Sequence, residues 1–404
     1  MKKGNIFIFL LFILGSLALL SFTKPDAWGF YGHRMINRMA IFTLPAELFG
    51  FYKQNVDYMT EHAVDPDKRR YATKHEAVRH YIDIDMWGVI PFDNVPRDFE
   101  EAIIKHCKMK FVYSGDTSYF TKVITADSIV FSTKKLQGVR LALEYPLFVK
   151  YWKKIIKPMY YEDEWKISGY DLDELFNSSY FTKYKIDVLI EDHFSEHGIV
   201  PYHLEAMQSK LTYAFANKDE EAILRISAEF GHYIGDAHVP LHTTINYNGQ
   251  LTDQVGIHGF WESRVPELFA EQEYDFFVGK ATFIEDPRSY FWDIVTKAHS
   301  HLDSVLLVDK RLRRIYEQDQ IYCYDERLGR TLRMECPEFA RAYSEALGTM
   351  VEDQMRGAIH ALGSCIYTAW VNAGQPELKF KGLLNLEPEK IQIDNSVITR
   401  SHEE

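Results

Sequence analysis

Cysteine is scarce. The 404 residues include only four (Cys107, Cys323, Cys336 and Cys365), and none sits in a C-x-x-C pair, which argues against a cysteine-type zinc finger and a dense disulfide scaffold. A cationic excess is lacking too: 46 lysines and arginines face 58 aspartates and glutamates, for a formal net charge of −12. That balance argues against broad electrostatic adhesion to DNA or an anionic membrane, and leaves room only for a local basic groove. Internal repeats and low-complexity tracts are absent, and strand signals are sparse. With 46% hydrophobic, 15% aromatic and 26% charged residues, the chain is neither disordered nor collagen-like. Its length suits one large domain or two ordinary ones.

One uninterrupted apolar run stands at the N-terminus. Lys2 and Lys3 precede Ile6–Phe22, and the short polar stretch Thr23–Ala27 follows. A charged start, an apolar middle and a small residue at the cut describe a secretory signal peptide over residues 1–27. The alternative is a retained membrane anchor at the short edge of spanning length. Cleavage after Ala27 exposes Trp28 as the new N-terminus and takes the formal charge to −14. The expected compartment is therefore periplasmic or extracellular. There the cysteines can pair, with three connectivities open and Cys323–Cys336 the favoured bridge.

Helical spacing of apolar residues marks Ile36–Leu44, Phe99–Phe111 and Asp219–Ala237; Pro287–Tyr316 and Pro337–Val371 each open on a proline suited to a first turn. Val112–Ser132 is rich in threonine, valine and isoleucine and suggests a small hairpin. The pattern stays interrupted to about Pro201, so residues 112–201 read as an elaboration inserted in a helical body. The expected fold is mainly α: a single helical domain over residues 28–374, with residues 375–404 as a surface tail.

The chemistry concentrates in His232-Tyr-Ile-Gly-Asp236-Ala-His238-Val-Pro240-Leu-His242. Four residues apart on a helix, His232 and Asp236 share a face and can grip one ion through imidazole nitrogen and carboxylate oxygen. Pro240 ends the helix and frees His242 to turn to a second position. His258-Gly-Phe-Trp-Glu262 repeats the histidine–carboxylate pair. A lone pair of this kind is usually a solvated surface pair; two pairs plus His242 within some thirty residues are not. Upstream, Asp65-Pro-Asp-Lys68-Arg69-Arg70 precedes His80-Tyr-Ile-Asp83. Taken alone, Asp65 reads as a loop aspartate, His80 as a partly buried histidine, and Trp28–His33 as a packed aromatic entry segment.

Together, Trp28, His33, Asp65, His80, His232, Asp236, His242, His258 and Glu262 resemble, in order, the ligand pattern of the zinc-dependent phospholipase C and single-strand-specific nuclease superfamily. The resemblance spans residues 28 to 262. It implies three zinc ions in a cleft of a helical domain. Asp65, His80, His232 and Asp236 would hold the first. Trp28 (through its free α-amine and carbonyl), His33 and the bridging Asp236 would hold the second, and His242, His258 and Glu262 the third. It also implies hydrolysis of phosphodiester bonds by attack of metal-bound hydroxide. Asp83 would orient water or substrate, and Lys68 would steady phosphate charge. For Asp83 the plain alternative is a turn hydrogen bond, and for Lys68 a solvated loop charge. Asp65, Lys68 and Asp83 are thus the catalytic candidates. His238 reads as a neighbour of the site, while His62, His75, His197, His203 and His299 read as structural or surface. Phe30, Tyr31, Tyr81 and Trp261 read as core packing before base stacking.

The short Trp28–His33 and fifteen-residue Asp65–His80 spacings resemble the nucleases. Glu262 and the brief His242–His258 connection resemble the phospholipases. The expected activity is therefore that of a secreted nuclease-like phosphoesterase acting on single-stranded nucleic acid or nucleotides. Phospholipase C action on phospholipid head groups is the alternative, and a non-catalytic secreted zinc-binding protein the second. No stable protein partner is implied, and the oligomeric state is left open.

Overall fold

A computed structural model describes residues 30–136, 138–327 and 330–378. The expected signal peptide over residues 1–27, Trp28 and residues 379–404 of the expected tail lie outside the described residues. Helix dominates strand, 59% to 12%, so the chain is mainly α.

The body is built from α1 (Tyr31–Ala40), α2 (Val200–Ala216), α3 (Glu220–Ala237), α4 (Pro287–Ser300), α5 (Leu302–Leu312), α6 (Pro337–Leu347) and α7 (Met350–Asn372). Asp219 starts α3: its carboxylate accepts the Ala222 N–H at 3.1 Å, and Glu220 and Glu221 suit the positive end of the helix dipole. Ile223, Phe230 and Ile234 form its buried stripe. Two readings of one long helix each resolve into two. The first breaks at His301, whose N–H turns back to the Ala298 carbonyl. The second breaks at Gly348, whose left-handed backbone (φ 64°) stops α6.

α1 packs against α3 closely enough to need two glycines one turn apart. A Cβ at Gly231 would fall 1.8 Å from Asn37 Oδ1, and one at Gly235 would fall 2.8 Å from His33 Nδ1. Asn37 fastens the crossing by donating to the carbonyls of Met59 and Ala228, each at 2.9 Å. His33 is thereby laid beside Asp236.

The expected helix over Phe99–Phe111 stops at His106, and residues 108–113 are strand instead. The expected small hairpin is present within residues 112–132, where Thr121–Ile124 and Ser128–Ser132 pair antiparallel, and it belongs to a larger arrangement of two antiparallel sheets. One has β1 (Lys108–Tyr113), β2 (Asp116–Tyr119), β6 (Trp165–Ile167) and β7 (Val188–Glu191) in the order β2-β1-β7-β6; the other has β3 (Thr121–Ile124), β4 (Ser128–Ser132) and β5 (Arg140–Glu144) in sequence order. The β1–β7 register pairs Lys108 with Glu191 and Phe111 with Val188. Phe111, Ile129, Phe131, Trp152 and Val188 join the same apolar core as the body helices. A second core lies around Trp261, Val305, Phe339 and Tyr343, beside the hairpin β8 (Tyr322–Arg327) and β9 (Arg330–Glu335). Cys323 and Cys336 are disulfide-bonded; Cys107 and Cys365 are free and buried. Among the described residues no helix is long and apolar enough to cross a membrane.

Candidate metal centre

Five imidazoles and three carboxylates converge where α1, α3 and the loops around them meet. Three groups each place their donor atoms within 4.8 Å of one another: His33, His232 and Asp236; Asp67, His80 and His232; His242, His258 and Glu262. Helix α3 supplies His232 and Asp236. His242 comes from the Pro240–Thr243 turn that follows it, and His258 and Glu262 from the helical stretch Ile257–Arg264. Asn248 steadies that stretch, its side-chain oxygen accepting the Gly256 N–H at 3.0 Å.

Two histidines are fixed by backbone carbonyls. His232 Nδ1 donates to the Ala63 carbonyl at 2.9 Å and His242 Nδ1 to the His80 carbonyl at 2.6 Å. Both therefore turn Nε2 inward, the tautomer a metal ligand requires. His232 Nε2 lies 3.3 Å from Asp236 Oδ2 and 3.1 Å from His80 Nδ1. The Asp236 carboxylate is the hub. It stands 2.9 Å from His80 Nδ1, and 3.6 Å from both His33 Nε2 and His242 Nδ1. Glu262 joins the rest: one oxygen is 3.4 Å from His33, the other 3.3 Å from His242 and 2.9 Å from His258. The Nε2 atoms of His242 and His258 face each other at 2.8 Å, so a proton or a cation has to lie between them.

The charge balance points the same way. Asp236 is buried and Glu262 largely so, and burial alone would raise their pKa values; His232 and His242 instead hold Asp236, and His242 and His258 hold Glu262, well below the usual range. Burial likewise pulls His232 down, but Asp236 and Asp67 outweigh it and push the imidazole up to about 9. His80, wholly buried, falls to about 4 despite Asp236. Ionised carboxylates this deep need positive charge beside them. Protons on imidazole supply it when no metal does, and the N/O donor set suits zinc.

One ligand expectation needs correcting. Asp65 faces away from the cluster, bonded to His62 and, at 2.8 Å, to Lys68. Asp67 takes its place, with Oδ1 3.6 Å from His232 Nε2 and 3.8 Å from His80 Nδ1. Residues 65–69 form a short helix, and two steps along a helix turn a side chain by about 200°. Asp65 and Asp67 therefore point opposite ways. The same rotation corrects the cation. Lys68 is half exposed on the Asp65 side. Arg70, one turn on from Asp67, is 3% exposed; its Nε and Nη1 have no hydrogen-bond partner, and Asp67 Oδ1 is 3.5 Å from Nη1. Burial lowers the pKa values of His80 and His258, and the nearby Arg70 charge adds to both shifts. A buried guanidinium with unused donors is a ready anion site. The Asp67-x-x-Arg70 spacing was the available signal in the sequence.

Asp83 is buried and lies outside the three groups. Its carboxylate meets His197 Nδ1 at 3.2 Å, and its N–H donates to the His197 carbonyl at 2.7 Å. His197, read from sequence as structural or surface, thus holds a catalytic candidate. His238 donates to the Ile234 carbonyl and faces Gly357 of α7. Tyr81 and Trp261 are buried in the packing, as expected of core rings. Trp28 lies outside the described residues. No protein-family model matches the chain, and no curated protein matches it in sequence.

Proposed function

We propose that the protein is an exported zinc-dependent phosphoesterase that hydrolyses phosphodiester bonds, nuclease-like in its choice of single-stranded nucleic acid or nucleotides. The observation that supports this best is the sharing of Asp236 among His33, His80, His232 and His242, with Arg70, whose Nε and Nη1 make no hydrogen bond, close by. Zinc ions bound there would activate water and neutralise phosphate charge. Three is the number the ligand pattern calls for. His232 and His242, locked by their carbonyl bonds, present fixed nitrogens. Asp67, Asp236 and Glu262 bring the negative charge that attracts the cations. Arg70 binds a phosphate oxygen through its Nε and Nη1 donors, and Asp83, held by His197, orients the reacting group. Release of the leader would free the Trp28 amine as a further ligand.

Phospholipase C action is the second reading. It is favoured by Glu262, whose longer side chain reaches both His33 and the His242–His258 pair. Zinc-loaded protein should cleave bis(4-nitrophenyl) phosphate, and a chelator should abolish the cleavage. Full zinc loading with no turnover of any phosphoester would instead favour a non-catalytic zinc-binding protein. Parallel assays on single-stranded DNA, RNA and phosphatidylcholine separate the two enzyme readings; lipid cleavage without nucleic-acid cleavage overturns the first.

A further inference from the structure

The stretch Ile257–Arg264, which carries His258 and Glu262, is held at both ends by a part of the molecule that gives no donor to the three groups. At its far end Arg264 is buried. Its Nε donates to the Glu335 carbonyl at 3.2 Å, and its Nη1 lies 3.8 Å from Asp325 Oδ2. Asp325 belongs to β8 and Glu335 to β9, so one guanidinium reaches both strands of that hairpin. Ahead of the stretch stands Gln254, whose carbonyl accepts the Ile257 N–H at 3.1 Å. Its side-chain nitrogen donates to the Leu306 carbonyl at 2.8 Å and to Asp309 Oδ2 at 2.7 Å.

The two anchors meet in one network. Arg313 Nε donates to both oxygens of Asp309, at 2.8 and 2.9 Å, while Nη2 donates to Glu335 Oε1 at 2.9 Å and Nη1 to the Tyr322 hydroxyl at 2.6 Å. Asp309 and Glu335 are buried, so each of these charges depends on the others being present. The disulfide closes the same frame, since Cys323 follows Tyr322 and Cys336 follows Glu335. Between the anchors, Phe260 packs on Tyr343 and Phe339 of α6, with ring centroids 4.7 and 5.7 Å apart. Glu262 itself sits in a π-helical turn, Phe260–Arg264. Such turns are rare and concentrate at functional sites; here the hairpin and α6 hold the turn that aims the carboxylate.

We infer that Arg264 and Gln254 are positioning residues for the zinc held by His242, His258 and Glu262, and that the disulfide-closed hairpin behind them sets how tightly that one ion is bound. The inference deepens the proposed function and rests on its reading of this group as a zinc site. The other two groups draw their donors from α1, α3 and the segment 67–80. Slackening the brace therefore acts on one ion and leaves two in place.

The test is the zinc content of the mature holoprotein after dialysis against graded chelator, read by elemental analysis. Arg264→Met should release one equivalent at a chelator concentration roughly 10- to 100-fold below that needed by the wild type, and keep the other two. Arg264→Lys, which retains a donor for the Glu335 carbonyl, should recover part of the difference. Gln254→Met, acting from the opposite end, should release the same single equivalent. Cys323→Ser/Cys336→Ser removes only the cross-link and leaves the packing, so it tests the hairpin even where Arg264→Met does not fold; it too should loosen one equivalent. Unchanged retention in these variants overturns the inference. So does an even loss of all three equivalents, which would make the brace a matter of general stability. A wild-type protein with no zinc on His242, His258 and Glu262 overturns the zinc reading and the inference with it, and shows before any variant is made.

Discussion

The helical body and the strand-rich insertion arrange their charges in opposite ways. In the body, carboxylates and imidazoles are driven together and buried, with Asp236 1% exposed and His80 and His232 fully covered. In the insertion Glu162, Asp163, Glu191, Asp192 and Glu196 line an open cleft, and several remain in water. Buried charge of the first kind must be compensated and is costly to disturb, whereas exposed charge of the second kind is tolerant of change. On the reading proposed above, bond-breaking chemistry belongs to the body, where the buried donor groups lie.

If that assignment holds, substitutions in the body cost far more turnover than those in the insertion. The largest effect should come from Asp236→Asn, which removes the shared carboxylate: two zinc equivalents are lost together, and activity falls more than ~100-fold. Elemental analysis checks this, and loss of a single equivalent counts against the sharing. Next comes a paired comparison within one short helix. Asp67→Asn should cost one zinc and about 100-fold in activity, whereas Asp65→Asn, which weakens partly exposed pairs with His62 and Lys68, should leave zinc content and activity unchanged and cost at most ~1 kcal/mol of stability. Equal effects would undo the assignment of Asp67. Arg70→Met should lower kcat by about 100-fold with zinc content intact, and Lys68→Met should leave kcat alone; steady-state kinetics on the chromogenic diester distinguishes them. The smallest effect is graded by pH. His232 in the metal-free protein titrates at about 9, so below that pH zinc must displace its proton. Zinc affinity should therefore rise with pH, by about ten-fold per unit for one displaced proton, and level off above 9. Chelator competition at several pH values reads the slope, and a flat profile contradicts the proton–metal exchange.

The same contrast explains what the sequence disclosed. Histidine–carboxylate pairs four residues apart are local, and the geometry of α3 converts that spacing directly into convergence. His232, Asp236, His242, His258 and Glu262 were all visible this way. Asp67 and Arg70 were hidden because residues 65–70 offer two aspartates and three cations, and only the rotation of a five-residue helix decides which of them face inward. The insertion was hardly legible. β1 pairs with β7 nearly eighty residues later, and no local pattern announces a non-local partner. The cleft was invisible for the same reason, since its walls come from segments far apart in the chain. The placement of His197 beside Asp83 likewise depends on the insertion folding back, so this histidine carried no signal of its own.

The central claim is that the body's five imidazoles and three carboxylates form one multinuclear zinc centre organised by Asp236. Anomalous X-ray scattering at the zinc edge, on crystals of the mature protein, tests it most directly. The account predicts three zinc peaks, two of them touching Asp236 and the third between His242, His258 and Glu262. A single peak, or none among these side chains in zinc-saturated crystals, would contradict it.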